Sequence, residues 1–353
     1  MSRLLDQPGG GMTYAGAGVS IEAGDEAVER IKSVVASTNR PGVLGGIGGF
    51  GGLFALDTAK YSEPVLVASA DGVGTKLEVA RQVGRYATVG IDLVAMLVDD
   101  LACVGAEPLF LLDYVAVGAL DPARLEELVS GIAEGCRQAR AALLGGETAE
   151  HGGVMKPDDL DVAGFAVGVI ERGTEMGPER VRDGDVLVGF ASPGLRSNGY
   201  TLARRVLVTS AEALDQPAWP GAVRSLGDEL LVPSVIYAPT IGALRDELGG
   251  AVHAVAHITG GGIVGNVVRI LSAGLDAVIE MESFDTPEIF FEIQRRGQVS
   301  AEEMVRVFNC GLGMVVALDP SAAAAAVAVA TAHGVTATIV GSVRAGTGEV
   351  VLV

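Results

Sequence analysis

Asp71 to Lys76 (DGVGTK) sets a carboxylate, two glycines and an ammonium at the end of one apolar run, Pro64 to Ala70 (PVLVASA). Such a stretch suits a metal-bound polyphosphate: Asp71 can hold Mg2+, while Lys76 and exposed backbone N–H groups face phosphate oxygens. Asp71-Gly72 is equally compatible with a plain turn. Gly90 to Gly105 (GIDLVAMLVDDLACVG) places Asp92, Asp99 and Asp100 on an otherwise apolar helix. Asp92 and Asp99 share a face but lie about 10 Å apart along the axis, too far to ligate one ion together. Carboxylates between Val98 and Leu101 are costly to bury unpaired, which favours at least one of them as a ligand. Leu143 to Glu150 (LLGGETAE) offers Glu147 as a further ligand or as an acid in a surface turn.

Two junctions in the second half resemble anion sites at helix N-termini. In PGLRSNGYT, Ser197 or Asn198 would cap a helix directly after Arg196, whose guanidinium would face the same phosphate. In AHITGGGIVGN, Thr259, Gly260 and Gly261 follow a strand that ends in His257, a residue that could position substrate or sit in the core. Gly45 to Gly52 forms a loop poor in side chains, able to approach phosphates closely or simply to move at the surface. It lacks the flanking strand and helix of a dinucleotide fingerprint, and no GxxxxGK[ST] occurs. No Ser/His/Asp or Cys/His arrangement stands out, so the chemistry indicated is positioning and electrostatic stabilisation of a phosphoryl group.

These groups need scaffolding, and the periodicity supplies it. Val19 to Ser37 reads as an amphipathic helix carrying Lys32. Helices follow at 90–106 and 124–142, with strands at 109–117 and 161–171. The polar, turn-rich stretch Arg172 to Asp185 separates this half from a second mixed one: strand 186–191, helix 200–210, helix 234–247, strand 251–257, helix 263–272, strand 275–280, and a closing strand, helix and strand. The expected organisation is a flexible tail over 1–13, with Met12 as an alternative start, then one domain over 14–175 and another over 176–353.

At 353 residues the chain has room for two cores. Charged residues make up 20% and mean hydropathy is +0.42, values of a foldable chain and not a disordered one. A net charge of −19 without any basic cluster argues against nucleic acid, while a small anion such as ATP stays admissible with Mg2+ beside it. Three scattered cysteines, Cys103, Cys136 and Cys310, give neither a disulfide framework nor zinc spacing, and a reducing cytoplasm fits. No stretch has the length and apolarity of a signal peptide or membrane span.

Taken together, YAGAGVSIEAGD, GGIGGFGGLF, DGVGTK, GIDLVAM, GAEPLFLLDY, GGETAE, DVAGFAVGV, SNGYTLAR, HITGGGIVGN and FNCGLGM resemble the phosphoribosylformylglycinamidine cyclo-ligase family from about Tyr14 onward. The resemblance implies an α/β N-terminal domain, whose mixed sheet pairs with that of a second subunit to close a barrel, and a C-terminal α+β sandwich domain. It implies a homodimer that uses ATP and Mg2+ to close the ring of formylglycinamidine ribonucleotide. Carried onto this chain, Gly48, Gly49, Phe50 and Gly51 would cover ATP phosphates, with Lys32, Lys76, Asp71 and Asp92 near the nucleotide. Asp71, Asp100 and Glu147 would serve Mg2+, Ser197, Asn198, Thr259, Gly260 and Gly261 the substrate, and Lys76, Asp71, Arg196 and His257 the chemistry.

Two departures stand out. Relatives usually carry histidine where this chain has Arg196, and arginine can bind or polarise but not exchange protons. His151-Gly152-Gly153 replaces the usual Met-Pro-Gly. The sister families fit less well: there is no cysteine before Cys103, as selenophosphate synthetases have, no C-terminal cysteine, as a hydrogenase-maturation relative has, and fewer acids near His257 than in thiamine-monophosphate kinases. A non-catalytic nucleotide-binding relative is the remaining alternative.

Overall fold

The computed structural model describes Gly11 and residues 13–353. Apart from Gly11 and Thr13, the expected tail and the start at Met12 lie outside the described residues.

Ser20 opens helix α1 (Ile21–Ala36) by accepting a hydrogen bond from the Ala23 N–H at 3.1 Å. Only Ala27 and Val35 of this helix are buried, as its amphipathic pattern predicts. The two-residue strands β1 (Val43–Leu44) and β2 (Leu53–Phe54) pair antiparallel and hold the glycine loop between them. Then come β3 (Pro64–Gly72), α2 (Lys76–Val83), α3 (Ala87–Cys103), β4 (Glu107–Val117), α4 (Pro122–Ala139), β5 (Ala142–Glu150) and β6 (Leu160–Glu171). Asp121 caps α4, and Pro122 fills its first position, where no N–H is needed.

The first sheet has the order β3-β6-β4-β5, with β4 and β5 parallel and the other pairs antiparallel. Helix α3 packs on β3 and β6, while α4 packs on α1, α3 and β5. The opposite face is covered at one end, where Phe54, Leu56 and Tyr61 pack with Leu109, Phe110 and Val169, and is otherwise open, exposing Leu66, Leu112, Tyr114 and Phe165.

The second half contributes β7 (Val186–Ala191), α5 (Tyr200–Leu207), α6 (Leu226–Leu230), α7 (Ala238–Leu248), β8 (Val252–His257), α8 (Gly262–Val267), β9 (Leu275–Ile279), α9 (Glu288–Gly297), α10 (Ala301–Val307), β10 (Leu312–Leu318), α11 (Ala323–Ala332), β11 (Ala337–Ala345) and β12 (Val350–Leu352). Its sheet runs β12-β9-β11-β7-β10-β8 and is antiparallel except for β12 beside β9. Every residue of β8 and β10 is buried, as expected for strands covered on both faces. Helix α3 also touches α7 and β8, so it lies between the two halves. A helix that is apolar but for three acids, two of them buried against partners, belongs in such a place.

Both halves thus form mixed sheets with helices. Among the described residues no helix is long and apolar enough to cross a membrane.

Two expectations change in a way that matters for chemistry. Strand β3 continues through Asp71 and Gly72, which face Gly164 and Ala163 of β6. Strand β5 continues through Glu147, which pairs with Tyr114. Both acids therefore belong to strands and not turns, because ladder hydrogen bonds with a neighbour outweigh the local glycines.

Candidate functional site

Lys76, expected to face phosphate, is instead wholly buried. Its ammonium donates to the carbonyls of Arg196 at 3.0 Å and Val232 at 2.8 Å, and lies 2.5 Å from Asp92 Oδ2. The Tyr200 ring stands 5.5 Å away. Burial pulls the ammonium below the ordinary lysine value, and Asp92 opposes this. Asp92 Oδ1 accepts from the Ser234 N–H at 2.8 Å and the Ser234 hydroxyl at 2.6 Å. Neither Lys76 nor Asp92 is free for nucleotide: the two pair within the first half and each is bonded to the second half across the seam, which resolves the cost of burying either alone.

Arg196 is corrected in the same way. With φ at +62° it turns inward, and it is 1% exposed. Its Nη2 donates to Asp99 Oδ2 at 2.7 Å and to His257 Nε2 at 2.8 Å, its Nη1 to the Val235 carbonyl at 2.8 Å, and the Tyr237 ring lies 4.9 Å from the guanidinium carbon. Asp99 also accepts from the N–H groups of Tyr237 and Ala238. Burial pushes the Asp99 carboxyl up, against the pull of Arg196. The guanidinium is directed at protein acceptors in the interior. Helix α5 is opened by Gly199 at φ +75°, so Ser197 and Asn198 do not cap it. Ser197 Oγ and Asn198 Oδ1 are instead buried without a protein partner.

The exposed end of this seam gathers most of the remaining candidates. His257 Nδ1 lies 2.9 Å from Asp100 Oδ1, and Ser69 Oγ lies 3.5 Å from Asp100 Oδ2. Burial pushes the Asp71 carboxyl up, the Gly72 N–H donating to its Oδ1 at 2.7 Å opposes this, and the negative charge of Asp100 adds to the rise. Thr75 and Thr201 hydroxyls meet at 3.1 Å, joining the Asp71 loop to the start of α5. Asn266 Nδ2 donates to the carbonyls of Thr259, Gly260 and Gly262, stapling that loop beside Asn198. Helix α8 has six residues, too short to serve as the expected dipole site. Among the described residues no three His, Cys, Asp or Glu side chains converge into a ready metal cage.

A second region surrounds edge strand β5. A cleft of about 780 Å³ is bounded by α1, the glycine loop, α4 and β5, with Asp113 and Glu147 in its wall. Gly52 anchors the loop: a Cβ there would lie 2.5 Å from Leu144 Cγ, so no larger residue fits. Gly48, Gly49 and Gly51 meet almost nothing, and Phe50 is fully exposed. Lys32 borders a smaller hollow behind this loop and pairs with Glu29. Glu147 is three strands from Asp71, about 14 Å at ordinary strand spacing. The expected set of Asp71, Asp100 and Glu147 therefore cannot close on one ion within a single chain.

Sequence reasoning missed Asp113. It sits in the same cross-strand row as Asp71, Gly164 and Gly146. Its Oδ1 is so near Gly146 that a Cβ there would come within 1.6 Å. Burial raises its carboxyl from 3.8 to about 7. The signal was present, since an acid inside the apolar run LFLLDYVAV must be buried or functional.

The chain matches the family models "AIR synthase related protein, N-terminal domain" over residues 56–170 and "AIR synthase related protein, C-terminal domain" over 182–353. It is 52% identical over 338 residues to a phosphoribosylformylglycinamidine cyclo-ligase of Anaeromyxobacter sp. (strain Fw109-5), covering 96% of this chain and 97% of that one. An enzyme of the same name from Anaeromyxobacter dehalogenans (strain 2CP-C) is 52% identical over 335 residues, covering 95% and 96%. Among solved structures, a thiamine-monophosphate kinase from Stenotrophomonas maltophilia superposes with TM-score 0.69 at 20% identity over 92% of this chain and 95% of that one. Hydrogenase maturation protein HypE in complex with ATP gives 0.64 at 20% identity over 92% and 90%. These structural likenesses speak for the fold alone. Two matching domains and half-identity over nearly the full length of both chains place this chain in the phosphoribosylformylglycinamidine cyclo-ligase family.

Proposed function

We propose that this chain is the ATP-dependent ligase that closes formylglycinamidine ribonucleotide to 5-aminoimidazole ribonucleotide in purine biosynthesis, acting in the cytoplasm and releasing ADP and phosphate. The observation that carries this reading is 52% identity across nearly all of both chains to enzymes named for that activity. In the reaction a phosphoryl group from ATP activates the formyl oxygen, a nitrogen of the same molecule attacks that carbon, and phosphate departs. Positioning and charge stabilisation are what such a transfer asks of protein. We assign the nucleotide side to residues 14–175 and the substrate side to 176–353.

The donor set suits Mg2+. Asp71 and Asp100 are two neighbouring carboxylates, one of them raised in pKa by burial and by the other, which is the repulsion a divalent cation relieves. When bound, the ion would neutralise phosphate charge, and Asp71 and Asp100 would hold it. Gly48, Gly49, Phe50 and Gly51 form a cover over phosphates, with Lys32 behind them. Ser197 and Asn198, with buried oxygens lacking partners, and the loop of Thr259, Gly260 and Gly261 bind the substrate ribonucleotide.

The open part of that face of the first sheet is the surface of a homodimer, its two sheets closing a barrel. Leu66, Leu112, Tyr114 and Phe165 supply the apolar contact. Because β3 and β5 are the two free edges, a second copy brings Glu147 toward the Asp71 of its neighbour, a route to the third ligand that one chain lacks. Arg196, the feature that favoured a non-catalytic relative, is turned away from the open site and gives that alternative no support. Purified protein with Mg2+ and ATP is assayed for ADP with and without formylglycinamidine ribonucleotide. ADP that depends on the ribonucleotide, with aminoimidazole product, is expected; nucleotide binding without turnover would sink the reading.

A further inference from the structure

We propose that Arg196 is a positioning residue that fixes His257 in its Nδ1–H tautomer, so that His257 orients Asp100. The guanidinium has donors only, so the 2.8 Å contact makes His257 Nε2 an acceptor. A neutral imidazole whose Nε2 accepts carries its proton on Nδ1, and that N–H points at Asp100 Oδ1 across 2.9 Å. The order of donation is therefore set from the buried end: Arg196 to His257, His257 to Asp100.

The ring cannot flip without losing both bonds. His257 is 5% exposed, ends the buried strand β8, and is flanked by Asp99 Oδ2 at 3.9 Å from Nε2. Arg196 is itself held from three sides, by Asp99, the Val235 carbonyl and the Tyr237 ring. Its backbone carbonyl accepts from Lys76, so the same residue ties together both buried ion pairs of the seam. The consequence lies at the surface. With Oδ1 of Asp100 engaged, only Oδ2 faces Ser69 and the neighbourhood of Asp71, so one oxygen of Asp100 is presented outward in one direction. Outer groups that orient a ligating side chain commonly govern metal affinity by 10–100-fold. The cation part of this inference rests on the Mg-ATP reading above, whereas the tautomer does not.

The test has two arms. In the ligand-free wild-type protein, nitrogen–proton NMR correlations of the His257 ring report the tautomer; Nδ1–H is expected, and Nε2–H would overturn the proposal. Affinity for Mn2+ is then measured by electron paramagnetic resonance with a non-hydrolysable ATP analogue. His257→Leu removes the donor to Asp100 and is expected to weaken Mn2+ about tenfold or more, while His257→Asn, whose amide nitrogen replaces Nδ1, is expected to restore most of it. Asp99→Asn combined with Arg196→Met removes the buried ion pair as a unit, keeps an amide oxygen able to accept from the Tyr237 and Ala238 N–H groups, and is expected to give mixed His257 tautomers with weakened Mn2+ binding. Wild-type Mn2+ affinity in His257→Leu and in the double variant would refute the positioning role. If the wild type bound no Mn2+ with the analogue, the Mg-ATP reading would fall, and the tautomer spectrum alone would decide the role of Arg196.

Discussion

Replacing Asp113 with asparagine should change how the stability of this protein depends on pH. In the unfolded chain the carboxyl ionises near 3.8, and in the folded chain burial raises it to about 7. Between those values the folded state keeps a proton that the unfolded state has lost. Stability is therefore highest below the lower value, falls as pH rises through the window, and levels off above about 7. A shift of about three units corresponds to about 4 kcal/mol at 1.36 kcal/mol per unit. Asp113 lines an open cleft, and water reaching its carboxyl there reduces the effect to about 2–4 kcal/mol. Asparagine keeps the shape beside Gly146 and cannot ionise. Urea unfolding of both proteins at several pH values from 5 to 8 should show the variant gaining on the parent as pH rises, most steeply below 7. A difference that stays constant across that range would mean that Asp113 titrates alike folded and unfolded, and the reasoning from burial would be wrong.

Arg196→Met alone should destabilise the chain by about 3–5 kcal/mol, read as a lowered urea midpoint, because it strands Asp99 in the seam, whereas the double variant with Asp99→Asn should recover much of that loss. Asp71→Asn should strongly reduce Mg2+-dependent ADP formation with the fold intact by circular dichroism, and near-normal turnover would remove Asp71 from the cation site. Gly52→Val should lower the melting temperature and ATP-analogue affinity together, since its side chain would collide with Leu144; unchanged values would show that the loop anchor yields easily. Phe165→Asp should shift the protein toward monomer in sedimentation at micromolar concentration, and an unaltered dimer would place the subunit contact elsewhere.

Much of the scaffold can be read from pattern alone. Helix α1, strands β4, β6 and β7 and the core strand β8 follow from periodicity, because each places a regular apolar face against a core. Strand ends are harder. Asp71 and Glu147 look like turn residues beside their glycines, yet both lie in ladders, since pairing with β6 and β4 is a long-range choice that no local window contains. Helix α8 stops at Val267 and continues only as a tight turn through Ile270.

The site divides along the same line. Residue order alone reveals which acids, glycines and cations recur at strand ends, that an acidic chain without basic clusters suits a small metal-bound anion, and which family the ordered motifs resemble. Residue types and spacing carry that information locally. Packing in three dimensions was needed to show that Lys76 and Arg196 point inward to Asp92 and Asp99, that Asp100 meets His257 from the other half, and that Glu147 stands apart from Asp71. A buried charge is tolerable only beside its partner, and the partners of Asp99 and Asp100 lie on distant stretches of chain brought close by packing around α3.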